Sequence, residues 1–184
     1  VLIEFNKEIV AYLEKQNCKS QSIHTKKNNI ISVKKDSEEL GFVGSPVDIN
    51  KSTIDKIVHE ERIPVIAPLG LSLNNETYNI NADTAAGSIA KKLKARRLII
   101  ISDVEGVLDN NDKLIPEMNS VSIQNLIKNE VITGGMIPKI NNCLDVASNG
   151  VKGVVIIDGR KNNSLLFELL SDKGSGTLIR KWKN

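Results

Sequence analysis

Three unbroken runs of aliphatic residues, Ile63 to Ala67, Leu98 to Ile101 and Gly153 to Ile157, punctuate a chain whose other apolar positions recur mostly at helical spacing. Runs of four or five such residues suit strands buried on both faces. Between them, Ala82 to Leu93 sets Ala85, Ala86, Ile89, Ala90 and Leu93 on one side of a helix. The same period returns over Asn141 to Ala147 and Leu165 to Leu170, and it opens the chain around Ile9, Val10 and Leu13. Strands separated by helices need crossover connections, so the pattern predicts an α/β fold with a mainly parallel sheet sandwiched by helices.

Ser22 to Ile49 breaks this rhythm. Polar turns at Lys26 to Asn29 and Lys35 to Glu39 flank short runs such as Ile30 to Val33, which predicts a β-hairpin or meander inserted in the fold. A second polar turn, Asp109 to Lys113, separates Gly106 to Leu108 from Leu114 and Ile115 and has the form of a hairpin or lid. No internal repeat, coiled-coil heptad or low-complexity linker is visible.

Composition narrows the function. With 184 residues and 40% hydrophobic content, a single domain over residues 1–184 is the default expectation. A net charge of +3 is spread among interleaved acids, which disfavours nucleic acid as a partner and suits a phosphate-bearing substrate. Cys18 and Cys143 are the only cysteines, with no CxxC pair and no metal-ligand spacing, so they read as inert thiols and no metal site is expected from protein ligands. No run approaches the roughly 20 apolar residues that a membrane helix needs. The chain begins at Val1 and enters a helix almost at once, which reads as a cut rather than a natural start.

In parallel sheets, ligands collect where strands end and helices begin. Three loops have that position. In Tyr78-Asn79-Ile80-Asn81-Ala82-Asp83, an extended segment turns the amides of Asn79 and Asn81 to one side, and Asp83 opens the next helix; capping of that helix is the plainer role for Asn81 or Asp83 alone. In Ser102 to Leu108, Gly106 permits positive φ or close ligand approach, flanking aliphatics can clasp a purine, and Asp103 is otherwise a solvated turn residue. In Val131 to Lys139, Gly134 and Gly135 precede a helix, where backbone N–H groups can approach an anion and Lys139 adds charge. A lysine there without the glycines is an ordinary surface residue.

Taken in order, NxNAD followed by AA, SDVxGVL, ITGGMIPK, GVKGVVIIDGR and GSGT resemble the acetylglutamate kinases, a branch of the amino-acid kinase superfamily. Asn6 to Val10, Leu40 to Gly44 and Ile63 to Pro68 fit as well, so the resemblance runs from about Asn6 to Thr177. It implies the amino-acid kinase fold and transfer of the γ-phosphoryl group of ATP, with Mg²⁺, to the side-chain carboxylate of N-acetyl-L-glutamate in arginine biosynthesis. A carboxylate is already a nucleophile near neutral pH, so such catalysis rests on alignment and charge neutralisation. By the same resemblance Asn79 and Asn81 bind the acetylated amino acid, Asp83 positions the catalytic lysines, and Lys139 stabilises charge on the transferring phosphoryl group. Asp103, Val104, Glu105, Gly106, Val107 and Leu108, with Val131, Ile132 and Thr133, line the adenosine pocket, while phosphates and water hold most of the Mg²⁺.

The resemblance also implies what is missing. The family's glycine-rich phosphate loop with a second catalytic lysine, and the residues completing the acceptor pocket, fall upstream of the segment matching Asn6, so the expectation is a C-terminal part of the fold that turns over little alone. Glu168, Gly174 and Gly176 match the arginine effector site of inhibited members, but Asn163 stands where many of those have a histidine; a turn before a last strand also accounts for the two glycines. A homodimer or a hexamer of dimers, a PII signalling protein as partner, and a cytoplasmic or plastid-stroma location are further implications. The competing readings are a non-catalytic nucleotide- or amino-acid-binding regulatory module, or another amino-acid kinase with a different acceptor.

Overall fold

A computed structural model of the chain describes residues 1–181, and the fold divides into two compact units, Val1–Lys92 and Leu93–Asn184. In the first, α1 (Leu2–Lys15) lies over the parallel pair β1 (Ser20–Ile23) and β4 (Ile63–Ile66). A polar contact fixes it there. The buried Asn6 amide donates to the Val65 carbonyl at 2.9 Å and accepts from the Ser22 hydroxyl, so neither end of the amide is left unsatisfied.

The inserted hairpin is present as β2 (Ile31–Lys35) and β3 (Gly44–Ile49), antiparallel with a bulge between Ser32 and Val33. It belongs to a sheet of order β3-β2-β5-β6, where β5 (Leu69–Leu71) runs parallel to β2 and β6 (Thr77–Asn79) returns antiparallel to β5. Helix α2 (Lys51–His59), capped by the Asn50 side chain on the Thr53 N–H at 3.3 Å, packs on β4. Helix α3 (Ala82–Leu93) has the bounds that its apolar spacing predicts, with Ala85, Gly87 and Ala90 as its buried positions.

The second unit is built on β7 (Leu98–Ser102), β9 (Val154–Asp158), β10 (Thr177–Ile179) and β8 (Glu117–Met118), in that spatial order. β7 and β9 run parallel, from Leu98 beside Val154 to Ser102 beside Asp158. β10 follows β9 through residues 159–176 and is antiparallel to β9 and parallel to β8. Helices α5 (Met136–Ser148) and α6 (Ser164–Leu170) both pack on β9, every residue of which is buried; α4 (Ser120–Lys128) packs on α5. The α/β architecture of the sequence pattern is therefore present, with sheets of mixed direction.

Two expectations of burial change. β7 sits at a sheet edge, so Ile100 is buried while Ile101 is 59% exposed, and Ile63 at the start of β4 is also exposed. Helix α6 inverts its pattern: Leu165, Leu166, Phe167, Leu169 and Leu170 face outward, and its buried residues are Ser164 and Glu168. Glu168 tolerates burial because Arg97 donates to its carboxylate at 3.1 Å and the Ser175 N–H donates to its other oxygen at 3.0 Å.

Candidate functional site

Asn79, Asn81 and Asp83, expected on the acceptor side, lie on one strand-to-helix turn of the first unit. Tyr78 and Ile80 are buried, and the alternating Asn79 and Asn81 are exposed, as period-two geometry requires. The segment is held by the Asn79 N–H, which donates to the Phe42 carbonyl at 2.8 Å, and by the Tyr78 ring against Phe42, centroids 5.6 Å apart. Asn81 caps α3, its side-chain oxygen accepting from the Thr84 N–H at 3.1 Å. Capping leaves its amide nitrogen to donate elsewhere. Asp83 stands in the first helical turn, where a carboxylate complements the helix dipole.

In the second unit the loop after β7 is tightly anchored. Gly106 adopts φ +139°, and a Cβ there would sit 2.6 Å from Thr177 Oγ1 and 2.7 Å from the Leu114 side chain. Its glycine is thus required by backbone and packing. The Val107 N–H donates to Thr177 Oγ1 at 2.8 Å, and that hydroxyl donates to the Ile115 carbonyl at 2.7 Å. Val107 is buried, so its side chain belongs to the core and it can meet a ligand through its backbone alone; Asp103 is exposed and Val104 and Leu108 are half-buried. The Asp109 to Lys113 turn closes a hairpin, with Leu108 bridged to Leu114 and the Asp109 carboxylate accepting from the N–H groups of Asn111 and Lys113. Those two bonds hold the Asp109 carboxyl below the usual carboxylate range.

The register of β7 on β9 adds residues to which the sequence reading gave no role. Ser102 pairs with Asp158, and the Gly159 N–H donates to the Ser102 carbonyl at 2.8 Å, so the loops after both strands share one sheet end. There the buried Asp158 takes a two-pronged contact from Arg160, Nε and Nη2 each at 2.9 Å. The Arg160 side chain and its backbone N–H hold the Asp158 carboxyl down at about 2. Lys161 pairs with Glu105 of the loop after β7 at 2.9 Å. The motif IIDGR was visible in sequence, but only strand pairing reveals what it touches.

The turn from α4 to α5 is open. Gly134 has φ +54°, which calls for glycine, whereas Gly135 has an ordinary helical conformation and a Cβ on either meets nothing within 4 Å. Neither strain nor packing explains Gly135. The Met136 and Ile137 N–H groups bond back to Thr133 and Gly134 at 3.2 Å each, and Pro138 has none, so charge at this turn comes chiefly from the half-buried Lys139. Val131 is half-buried, Ile132 is buried in the core, and Thr133 is exposed.

Glu168, Gly174 and Gly176 also come together, with a structural use. Gly174 has φ +68° beside the Glu168 carboxylate, and a Cβ on Gly176 would collide with the Ile156 carbonyl oxygen, so both glycines shape the turn into β10. Among the described residues, no group of three or more His, Cys, Asp or Glu side chains is placed to hold a metal ion, and no helix is long and apolar enough to cross a membrane.

The model of the amino acid kinase family matches residues 1–158. The chain belongs to the amino acid kinase family. Amino acid kinase relatives of high similarity include the acetylglutamate kinase of Pelagibacter ubique (strain HTCC1062), 68% identical over 181 residues, and that of Campylobacter fetus subsp. fetus (strain 82-40), 46% identical over 176. They cover 98% and 95% of this chain, which spans 63% of the length of each. Among solved structures, smu.665 from Streptococcus mutans UA159 superposes with a TM-score of 0.79 at 31% identity, over 95% of this chain and 66% of that one. N-acetylglutamate synthase from Neisseria gonorrhoeae, complexed with coenzyme A and L-arginine, gives 0.79 at 22% identity over 89% and 38%, a likeness of fold.

Proposed function

We propose that the chain is the nucleotide-side part of an acetylglutamate kinase, which phosphorylates the side-chain carboxylate of N-acetyl-L-glutamate at the expense of ATP in arginine biosynthesis. The observation that carries this reading is the 68% identity over 181 residues to a relative of that name. In the first unit Asn79 and the free amide nitrogen of Asn81 donate to the acetylated amino acid, and Asp83 positions lysines. In the second unit the anchored loop Asp103 to Leu108 and residues Val131 to Thr133 receive adenosine, the buried Val107 and Ile132 through their backbones alone.

The residues present fit ATP. Open space over Gly134 and Gly135 lets a phosphate chain approach, and Lys139 lies one turn into the helix that follows. Bound Mg²⁺·ATP supplies the phosphoryl group and neutralises part of its charge. Lys139 offsets charge that grows on the phosphoryl oxygens during transfer, which lowers the barrier more than it tightens substrate binding. No general base is required, because the acceptor is already ionised.

The test is phosphoryl transfer by the full-length protein to acetylglutamate, aspartate, glutamate and UMP. Preference for acetylglutamate is expected; preference for another acceptor overturns the substrate. No transfer to any acceptor favours the binding-module reading. Because its relatives are longer, this chain assayed alone is expected to turn over little or nothing, and wild-type-like turnover contradicts that. Homo-oligomers, a PII partner and arginine inhibition through Glu168, Gly174 and Gly176 rest on family resemblance. Bacterial relatives favour a cytoplasmic setting over a plastid one.

A further inference from the structure

The second unit carries another concavity, at the end of its sheet away from the loops after β7 and β9. Ile179 of β10 pairs with Val154 of β9, so the start of β9 and the end of β10 lie together, while Ser102 and Asp158 mark the far end. Five strand residues separate the two ends by roughly 16 Å. Here a cleft of about 810 Å³ opens, bounded by the last turn of α5, the residues entering β9, those leaving β10, and the junction of β8 with α4.

Its chemistry is one-sided. Lys152 enters β9, Arg180 and Lys181 leave β10, and all three side chains line the cleft. Among the described residues Glu117 is the one carboxylate in the lining, and it pairs with Arg180 at 3.1 Å. The floor includes the buried Ala147 and Val151, and Asn119 adds an amide at the rim. Exposed lysines ordinarily spread over convex surface, where water and distance weaken their repulsion. In this cleft, cations from two segments remote in sequence converge on a hollow, an arrangement that an anion relieves.

We propose that this cleft binds a small phosphate-bearing anion, at a site separate from the nucleotide loops. The volume falls in the range of small-molecule sites. A guanidinium and two ammonium groups lining one cleft suit phosphate oxygens, Arg180 supplying a planar fork and the lysines point charges. Glu117 competes for Arg180 and sets the affinity. The inference stands whether or not the opposite end takes ATP.

Pyrophosphate is the probe, titrated into the intact protein at low salt by calorimetry. A Lys139→Ala background removes the contribution expected from the nucleotide turn. In that background, Lys152→Ala with Lys181→Ala is expected to weaken binding roughly twenty-fivefold, taking about fivefold for each exposed charge. Glu117→Gln is expected to strengthen it about fivefold by freeing Arg180. Both sets of residues are exposed, so the fold survives either change. Absence of pyrophosphate binding in the Lys139→Ala protein overturns the proposal. So does affinity that ignores the two lysines, or that falls with Glu117→Gln.

Discussion

The loop after β7 and the turn before α5 both carry glycines in motifs that suggest a ligand, yet they are built in opposite ways. Gly106 is wedged against Thr177 and Leu114, and its neighbours are tied to Thr177, Ile115 and Lys161. A Cβ added to Gly135 would meet nothing within 4 Å. One glycine is demanded by the fold and the other by no feature of it, so the second is the better evidence for a ligand. A preformed wall and an open, cationic turn are also what adenosine and a reacting phosphate respectively require.

The contrast can be broken by mutation. The largest effect is expected from Lys139→Ala in the full-length enzyme: kcat lower by roughly 10²- to 10³-fold with little change in the acetylglutamate KM, measured by steady-state kinetics. A change confined to KM contradicts the role given to Lys139. Next is Gly106→Ala, which must be strained in φ and collide with Thr177; a loss of about 3 kcal/mol in denaturant unfolding is expected. Stability equal to the parent would mean that the loop is slack. Thr177→Val leaves the Val107 N–H and the Ile115 carbonyl without their partner and should cost about 2 kcal/mol in the same measurement. Glu105→Gln removes only a half-exposed ion pair with Lys161, so a change beyond about 1 kcal/mol would show that the pair is more than a surface contact. The smallest stability change is expected at Gly135→Ala, within about 0.5 kcal/mol, alongside a raised KM for ATP. Unchanged ATP kinetics there would show that no phosphate approaches Gly135.

Local order was legible where side chains announce themselves. The bounds of α3 follow from the Asn81 cap ahead of the apolar spacing, and the β2–β3 hairpin from its polar turn. Helices α2 and α4, capped by Asn50 and Asn119, are hard to see in the sequence because each is only nine residues long. What sequence could not give is register. Arg160 beside Asp158, and Lys161 beside Glu105, depend on which strand neighbours β7 and where it starts. The outward apolar face of α6 was hidden for the same reason: the burial of Glu168 is decided by Arg97, remote in the chain. Asn79 and Asn81 were readable as a pair because period-two alternation is a local property.

Asn81 serves the helix with one end of its amide and has the other end to spare. If Asn81 binds the acceptor as proposed, folding and recognition read different atoms of a single side chain. An aspartate at this position keeps the acceptor that starts α3 and exchanges the outward donor for a negative charge. On the proposed reading, Asn81→Asp should melt like its parent yet show a raised acetylglutamate KM in the full-length protein, and an unchanged KM would take Asn81 out of the acceptor pocket.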